Sequence, residues 1–540
     1  MTLIHPIPER QQTIMIRLKT LLLSMLTGIC LSAAASQIVY ECDFSDRQLD
    51  GWRFTEYTKP TVVDGVPMLN VTVPETKAAK MNAAFRNLDL EPLRNKILMM
   101  TFEVKAENVT KPAHSYNGVK VMFYLKTKTG EVWRNPVHLH GSFDWRKIQT
   151  GVEIPSHAEK AGLIIGLQES SGTLQVRRIR IEAFSKTEVY PPVPLPADYR
   201  AEYTGRVTEM PPLRGVMGPD DYRPEDLEEL NSWGANLIRW QLKRNWGKSN
   251  TERDLKEYMG WFRRKLDELD RVLDHCRKLG IKVVIDLHTP PGGRNSENDM
   301  AMFYESVYAE AFLKMWEEMA VRYKDHSALW GYDLINEPCQ SRPALFDYLT
   351  LQYEAAKRIR AIDPETPIIV ESNNWATAHT FGYLSPLPLP NIIYQAHMYA
   401  PGAFTHQGVG NTWGVRGSEK YVKWPGVIDG IRWDRETLKE RFRPVRDFQQ
   451  KYGARIYIGE FSAARWAPGA ARYLEDAISI FEEYGWDWSY HSFRESHVWS
   501  VEHSADRFNF KRTQKTTDRK QVLLDSFKRN SRDFPQNTEQ

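Results

Sequence analysis

The sequence predicts an α/β protein: a (β/α)8 TIM barrel carrying an N-terminal β-sandwich. Three observations predict it. From about residue 205 onward, short apolar runs alternate with segments of 3.6-residue periodicity, and eight such runs fit into roughly 330 residues. Residues 37–187 instead hold short alternating runs bounded by Gly, Pro, Asn and Asp, with no long helical pattern between them. The two regions meet at Tyr190-Pro-Pro-Val-Pro-Leu-Pro-Ala197, whose prolines favour an extended spacer without a core of its own.

In chain order, residues 1–36 read as a secretory signal peptide. Met15-Ile-Arg-Leu-Lys-Thr20 gives a basic start, Leu21 to Leu31 an apolar stretch, and Ala33-Ala-Ala-Ser36 a small-residue cleavage region. Residues 1–14 are then an upstream extension, with Met15 as the start. The apolar run is short for a membrane span, which makes an N-terminal anchor the weaker alternative. A secreted or periplasmic location is expected. Residues 37–187 form the sandwich, with strands at Ile97–Val104, Val119–Leu125 and Leu163–Leu167. Residues 188–200 are the linker and 201–535 the barrel. Barrel strands are expected at Leu213–Met217, Asn236–Leu242, Lys282–His288, Leu329–Ile335, Ile368–Glu371, Ile392–His397, Arg455–Glu460 and Trp486–His491. Helices fit at Pro224–Trp233, 258–279, 308–323, 344–361, 435–451 and 468–484.

Composition excludes some functions. The 72 basic residues balance 69 acidic ones, for a net charge of +3, so neither a nucleic-acid protein nor a polybasic membrane protein is indicated. Cys30, Cys42, Cys276 and Cys339 are too few and scattered for a disulfide scaffold or a zinc site. The 17 Trp and 24 Tyr suit either a large core or a protein that stacks on flat ligands. In the sandwich, Trp52, Trp133 and Trp145 are such candidates, and in the barrel loops Trp246, Trp375, Trp413, Trp424 and Trp466.

In a (β/α)8 barrel, chemistry sits where the strands end at the C-terminal mouth. Those ends carry Arg239, His288, Asn336-Glu337-Pro338, His397, Tyr399 and Glu460-Phe461. A strand terminus needs no carboxylate for stability, and an unpaired buried one is costly. Glu337 and Glu460 would face each other across the mouth, as glycosidic bond cleavage requires. One carboxyl must hold a proton for the leaving oxygen while the other stays ionised beside the Arg. Strand 1 offers Arg214 and Met217 rather than a His-x-His pair, so no metal and no cofactor is expected.

Five motifs in order, Asn236-Leu-Ile-Arg239, Asp286-Leu-His288, Leu334-Ile-Asn-Glu-Pro338, His397-Met-Tyr399 and Ile458-Gly-Glu-Phe461, make residues 205–500 resemble glycoside hydrolase family 5, the family of cellulases, mannanases and related retaining enzymes. The resemblance implies that Glu337 is the general acid/base and Glu460 the nucleophile. It implies that Arg239 holds the nucleophile ionised and Tyr399 hydrogen-bonds it. Asn336 would bind the sugar 2-hydroxyl, and His288 and His397 would line the subsite of cleavage. The family usually places a Trp at the end of strand 8, whereas this chain reads Ser489-Tyr-His-Ser-Phe493, leaving His491 or Phe493 there. The segments Asp43-Phe-Ser-Asp46, Gly141-Ser-Phe-Asp-Trp145 and Gly172–Ile181 resemble jelly-roll carbohydrate-binding modules, beside the alternative of a structural sandwich without a ligand.

The expected protein is thus a monomeric retaining hydrolase of a β-linked polysaccharide, with endo-β-1,4-glucanase favoured. Mannan, mixed-linkage glucan, xyloglucan and an exo-acting β-glucosidase mode remain open, because loops decide them. The non-enzymatic alternative is a carbohydrate-binding protein with an inactive barrel. Double displacement predicts carboxyl groups about 5 Å apart.

Overall fold

A computed structural model describes residues 37–114, 116–128, 130–135, 139–184, 194–344, 346–409 and 421–534. The signal-peptide reading, Cys30, Trp413 and the start of the linker lie outside these residues.

The N-terminal part is two antiparallel sheets. One contains β1 (Gln37–Cys42), β3 (Thr58–Val63), β4 (Val66–Val73), β6 (Lys96–Val109), β9 (Gly141–Ile154) and β11 (Gly172–Phe184). The other runs β2 (Trp52–Phe54), β5 (Asn82–Leu88), β10 (Ala158–Gln168), β7 (Gly118–Thr127), β8 (Gly130–Arg134). Alternate residues of both sheets, among them Leu98, Met100 and Val104 from β6, Val121 and Phe123 from β7, and Leu163 from β10, meet in one buried core. Trp52 belongs to that core, donating its indole N–H to Tyr40, and so cannot serve as an open platform.

The second part is a closed parallel barrel of β12 (Arg214–Met217), β13 (Leu237–Gln241), β14 (Lys282–Asp286), β15 (Leu329–Asp333), β16 (Ile368–Glu371), β17 (Ile392–Met398), β20 (Arg455–Phe461) and β21 (Asp487–Tyr490). A hairpin, β18 (Gly426–Ile428) with β19 (Ile431–Trp433), interrupts the alternation. Helices cover the barrel because each buries an apolar stripe on it. In Leu255–Leu279 that stripe is Phe262, Leu266, Leu269, Val272, Leu273 and Cys276, all buried. Asp254 caps its start by accepting from the N–H groups of Lys256 and Glu257, and Gly280 closes its end at φ 65°. The pattern over 435–451 predicts one helix, but the structure has two, Arg435–Arg441 and Arg443–Tyr452. Pro444 cannot donate to the carbonyl four residues back, so the chain restarts there.

Inside the barrel, Leu237, Val284, Trp330, Ile369, Ile393 and Tyr457 form an apolar plug. Strand side chains alternate faces with period two, so Arg239, Asp286, Glu371 and Gln395, each two residues past a plug residue, also face inward, one layer higher. The plug closes one end of the barrel, and the charged layer sits at the C-terminal mouth.

The sandwich abuts the barrel along β9. The Gln149 N–H donates to Tyr304 O at 3.0 Å, and Ile148 forms an antiparallel bridge with Glu305. From the linker, Tyr199 donates its hydroxyl to Leu387 O and Arg200 its guanidinium to Gln450 O, so this end of the stretch lies against the barrel. Cys42, Cys276 and Cys339 are buried and free. Among the described residues, no helix is long and apolar enough to cross a membrane.

Candidate active site

At the mouth, Arg239 is the centre of the site. Fully buried, it donates Nε to Asp333 Oδ2 at 2.8 Å, one terminal nitrogen to Glu460 Oε1 at 2.8 Å, and the other to Asn336 Oδ1 at 3.0 Å and Glu371 Oε1 at 3.1 Å. Asp286 Oδ1 lies 3.2 Å from that same nitrogen. Four carboxyl groups therefore share one guanidinium, which cannot neutralise them all. Their ionisation diverges accordingly. Burial pushes Asp286 up to about 7 and Asp333 up to about 6, against the pull of Arg239. Burial, with the negative charge of Asp333, drives Glu371 well above the carboxylate range. For Glu460 burial again opposes the charge, but the positive charge of His397, His491 and Arg239 outweighs it and holds Glu460 well below the usual range.

Glu460 Oε2 also accepts from the Tyr399 hydroxyl at 2.8 Å. Glu337 stands opposite, in the loop four residues past the end of β15. One carboxylate oxygen of Glu337, one of Glu460 and a ring nitrogen of His397 all lie within 4.8 Å of one another. Such a trio of donor atoms has the chemistry to hold a cation as well. His397 Nδ1 is 3.0 Å from Glu337 Oε1, and its Nε2 lies 3.2 Å from Gln395 Nε2. Gly459, just before Glu460, leaves room for that Gln395 side chain: a Cβ there would lie 2.4 Å from Gln395 Cδ.

His288 bonds Asp286 Oδ2 through Nδ1 at 2.7 Å and Asn336 Nδ2 through Nε2 at 3.3 Å. Burial lowers it to about 3, so it is a neutral imidazole, with Nδ1–H donating to Asp286 and Nε2 accepting from Asn336. Its first effect is thus to orient Asn336. At the end of β21, His491 stands beside Tyr399, whereas Phe493 is buried edge-on against Trp233, ring centroids 5.0 Å apart. His491 occupies the strand-8 position at the site.

The loop tryptophans divide. Trp246, 45% exposed, and Trp375 flank Arg294, whose guanidinium lies 5.6 Å and 4.5 Å from their rings. Arg294 in turn donates to the carbonyls of Asn336 at 3.1 Å and Glu337 at 2.8 Å. Trp424 and Trp466 are buried loop packing: their indole N–H groups donate to Asp476 at 2.9 Å and Gln407 O at 2.7 Å. Neither is a platform.

Glu371, Asp333, Gln395, Arg294, Lys243, Glu495 and Trp499 also stand at the site, beyond the residues that the sequence predicts. Glu371 ends an apolar strand run, the very feature that singles out Glu460, and a consistent use of that rule finds it. Trp499, whose ring lies 6.0 Å from that of Tyr399, comes from a loop without periodicity and leaves no such signal.

The sequence profile of the family described as Cellulase (glycosyl hydrolase family 5) matches residues 203–496. The chain belongs to that family. This family 5 protein is a glycoside hydrolase, and its matched span covers the whole barrel strand order and every residue of the constellation above except Trp499. It is similar to Endoglucanase C of Acetivibrio thermocellus, with 27% identity over 250 residues, 42% of this chain and 72% of the relative. It is also similar to Cellodextrinase A of Ruminococcus flavefaciens, with 29% identity over 267 residues, 46% of this chain and 74% of the relative. Among solved structures, Thermotoga maritima Cel5A in complex with cellobiose aligns at 26% identity and a TM-score of 0.46, over 57% of this chain and 96% of that one.

Proposed function

We propose that this family 5 hydrolase is a secreted endo-β-1,4-glucanase that retains the anomeric configuration by double displacement. The single observation that carries the mechanism is the approach of Glu337 and Glu460, with carboxylate oxygens within 4.8 Å. Retaining glycosidases hold their carboxyl groups at about 5–5.5 Å, whereas inverting ones need about 6.5–9.5 Å to admit a water between them.

In the first step, Glu460 attacks the anomeric carbon while Glu337 gives its proton to the departing glycosidic oxygen. The bond to that oxygen breaks as the ester bond to Glu460 forms. In the second step, Glu337, now a carboxylate, takes a proton from water, whose oxygen displaces Glu460 and releases the β-sugar. Arg239 and Tyr399 keep Glu460 ionised and aimed, which a nucleophile requires. Asn336, held by Arg239 and His288, is the donor for the sugar 2-hydroxyl, and His397 steadies Glu337. The endoglucanase assignment draws support from the similarity to Endoglucanase C of Acetivibrio thermocellus. Export rests on the signal-like residues 15–36. In the sandwich, Trp133, 48% exposed and 4.5 Å from the Tyr124 ring, is the aromatic surface offered to a glycan; Trp145 has its ring covered by Arg177 at 4.0 Å.

Reducing-sugar release from soluble cellulose, mannan, mixed-linkage glucan and xyloglucan tests the reading. Glu460→Gln should fall to background, and Glu337→Gln should lose about 10²–10⁴-fold. Azide should restore the Glu337→Gln variant on an aryl glycoside, giving a β-glycosyl azide. Equal activity in the parent and both variants overturns the mechanism, and a preference for mannan overturns the substrate. Affinity electrophoresis of the full chain against Trp133→Ala tests the sandwich: equal retardation removes the sugar-binding reading.

A further inference from the structure

At the end of β21 the site carries a chain of charged groups where an aromatic floor would otherwise be expected. His491 Nδ1 lies 2.7 Å from the Tyr399 hydroxyl, and His491 Nε2 lies 2.7 Å from Glu495 Oε2. Lys243 donates to Glu495 Oε1 at 2.5 Å and also pairs with Asp220 at 2.6 Å. The Tyr399 hydroxyl in turn reaches Glu460 Oε2 at 2.8 Å. His491, Glu495 and Lys243 are 11–13% exposed, so bulk water does not screen the chain.

Counting protons along this chain fixes its state. Tyr399 has one hydroxyl proton. With Glu460 ionised, that proton points at Glu460, and the phenol oxygen can only accept from His491. Nδ1 must then carry a proton. Nε2 faces a carboxylate whose other oxygen is held by Lys243, so Nε2 must carry one too. We propose that His491 works as an imidazolium, fixed by Glu495, which aims the Tyr399 hydroxyl at the nucleophile, and that the site is competent only while His491 holds both protons. It is a positioning residue acting through Tyr399, and the proposal rests on reading Glu460 as the nucleophile.

The groups facing His491 agree with this. They are Glu495 and, behind it, Lys243; Tyr399 and, behind it, Glu460, 3.9 Å from Nδ1; His406 against the far side of Tyr399; and the Trp499 ring at 5.7 Å. Burial by itself would lower the imidazole, yet Glu495, through charge and hydrogen bond, and then Glu460 carry it above the ordinary histidine value. Glu495 is held well below the carboxylate range by His491 and Lys243 despite its burial. Burial lowers His406 to about 4, so it adds no competing charge near neutrality. When Nδ1 loses its proton at higher pH, the single phenolic proton is contested by two acceptors and Glu460 loses a donor.

The test uses Glu495→Gln, which keeps the shape and removes the charge, and Glu495→Asp, which keeps the charge. Nitrogen-15 NMR of the full chain should find both His491 nitrogens protonated at pH 7. The alkaline limb of kcat/KM should move down by about one pH unit or more in Glu495→Gln, about tenfold in rate on that limb, and return towards the parent in Glu495→Asp. A half-protonated His491 in the parent at pH 7 overturns the proposal, as does an alkaline limb unmoved in Glu495→Gln. Labelling by a 2-deoxy-2-fluoro cellobioside, located by mass spectrometry, tests the nucleophile separately. A label away from Glu460 sinks the mechanism itself, whereas the NMR reports on His491 wherever the label falls.

Discussion

The main-chain N–H of Glu337 donates to Oε2 of Glu371 at 2.7 Å, while Glu337 itself sits at φ 50°. A non-glycine residue in this left-handed region costs on the order of 1–3 kcal/mol and persists only where its surroundings enforce it. Glu371 holds the amide and Arg294 holds the carbonyl at 2.8 Å, so the general acid/base is pinned on both sides of its Cα. Replacing Glu371 by Leu leaves that N–H without its acceptor, a penalty of about 1–3 kcal/mol. A displacement of the acid/base by about 1 Å lowers rates about 10²-fold. We expect kcat of Glu371→Leu to fall by that order with KM nearly unchanged, checked by steady-state kinetics beside a circular-dichroism melt. A kcat within about twofold of the parent would mean that Arg294 alone suffices.

Arg239 touches Asp286, Asp333, Asn336, Glu371 and Glu460 with donors set in one plane. Lysine offers the same charge at a single point and cannot reach all of these at once. Arg239→Lys should therefore cost stability, about 3–5 kcal/mol, since it leaves buried carboxyl groups without their partner. It should also cut kcat/KM by about 10²–10³-fold through the loss of an aimed donor on Glu460. Denaturant unfolding and kinetics on the same preparation separate the two losses. An unchanged pH optimum with only a lower melting point would assign Arg239 a purely structural role.

Much of this site is legible in the sequence because a barrel strand is a short apolar run ended by a polar residue, and the runs at Lys282, Ile392 and Arg455 end on functional groups. The period-two alternation past the plug residues adds Asp286, Glu371 and Gln395 to the same layer. What stays hidden depends on loops. Trp246 is open beside the site while Trp424 and Trp466 are sealed by hydrogen bonds to Asp476 and Gln407, and nothing local to each indole distinguishes the two situations. Lys243 and Glu495 are 252 residues apart, and their pairing follows only from the closure of the sheet. The helix break at Phe442 is legible from Pro444 alone.

At the seam between the two parts, Glu305 is fully buried and accepts from Arg253 at 2.7 and 2.9 Å, with Arg146 of β9 standing 3.8 Å away. Arg253→Met strands this carboxylate and should cost about 3–5 kcal/mol in denaturant unfolding. Arg146, partly solvated and more distant, should cost about 1 kcal/mol or less when replaced by Met. Comparable losses from the two substitutions would mean that Arg146 holds Glu305 as firmly as Arg253 does.

The buried acids also give the fold a pH dependence whose sign can be worked out. Burial raises Asp286 to about 7, so the native state keeps its proton where the unfolded chain, with an ordinary aspartate near about 4, has released it. Stability from this group is complete below about pH 4 and is lost as pH rises towards 7. His288 and His406, lowered by burial to about 3 and about 4, push the other way, because the unfolded chain binds their protons below about pH 6.5 and the native state does not. The two slopes overlap, so the parent's curve alone cannot reveal Asp286. Comparison with Asp286→Asn can: the variant has no proton to lose, so its stability relative to the parent should improve between pH 4.5 and 7.5 by on the order of 1–3 kcal/mol. Chemical denaturation at four pH values measures that difference, and a gap that stays flat across the range would show that Asp286 is ionised throughout, with Arg239 outweighing its burial.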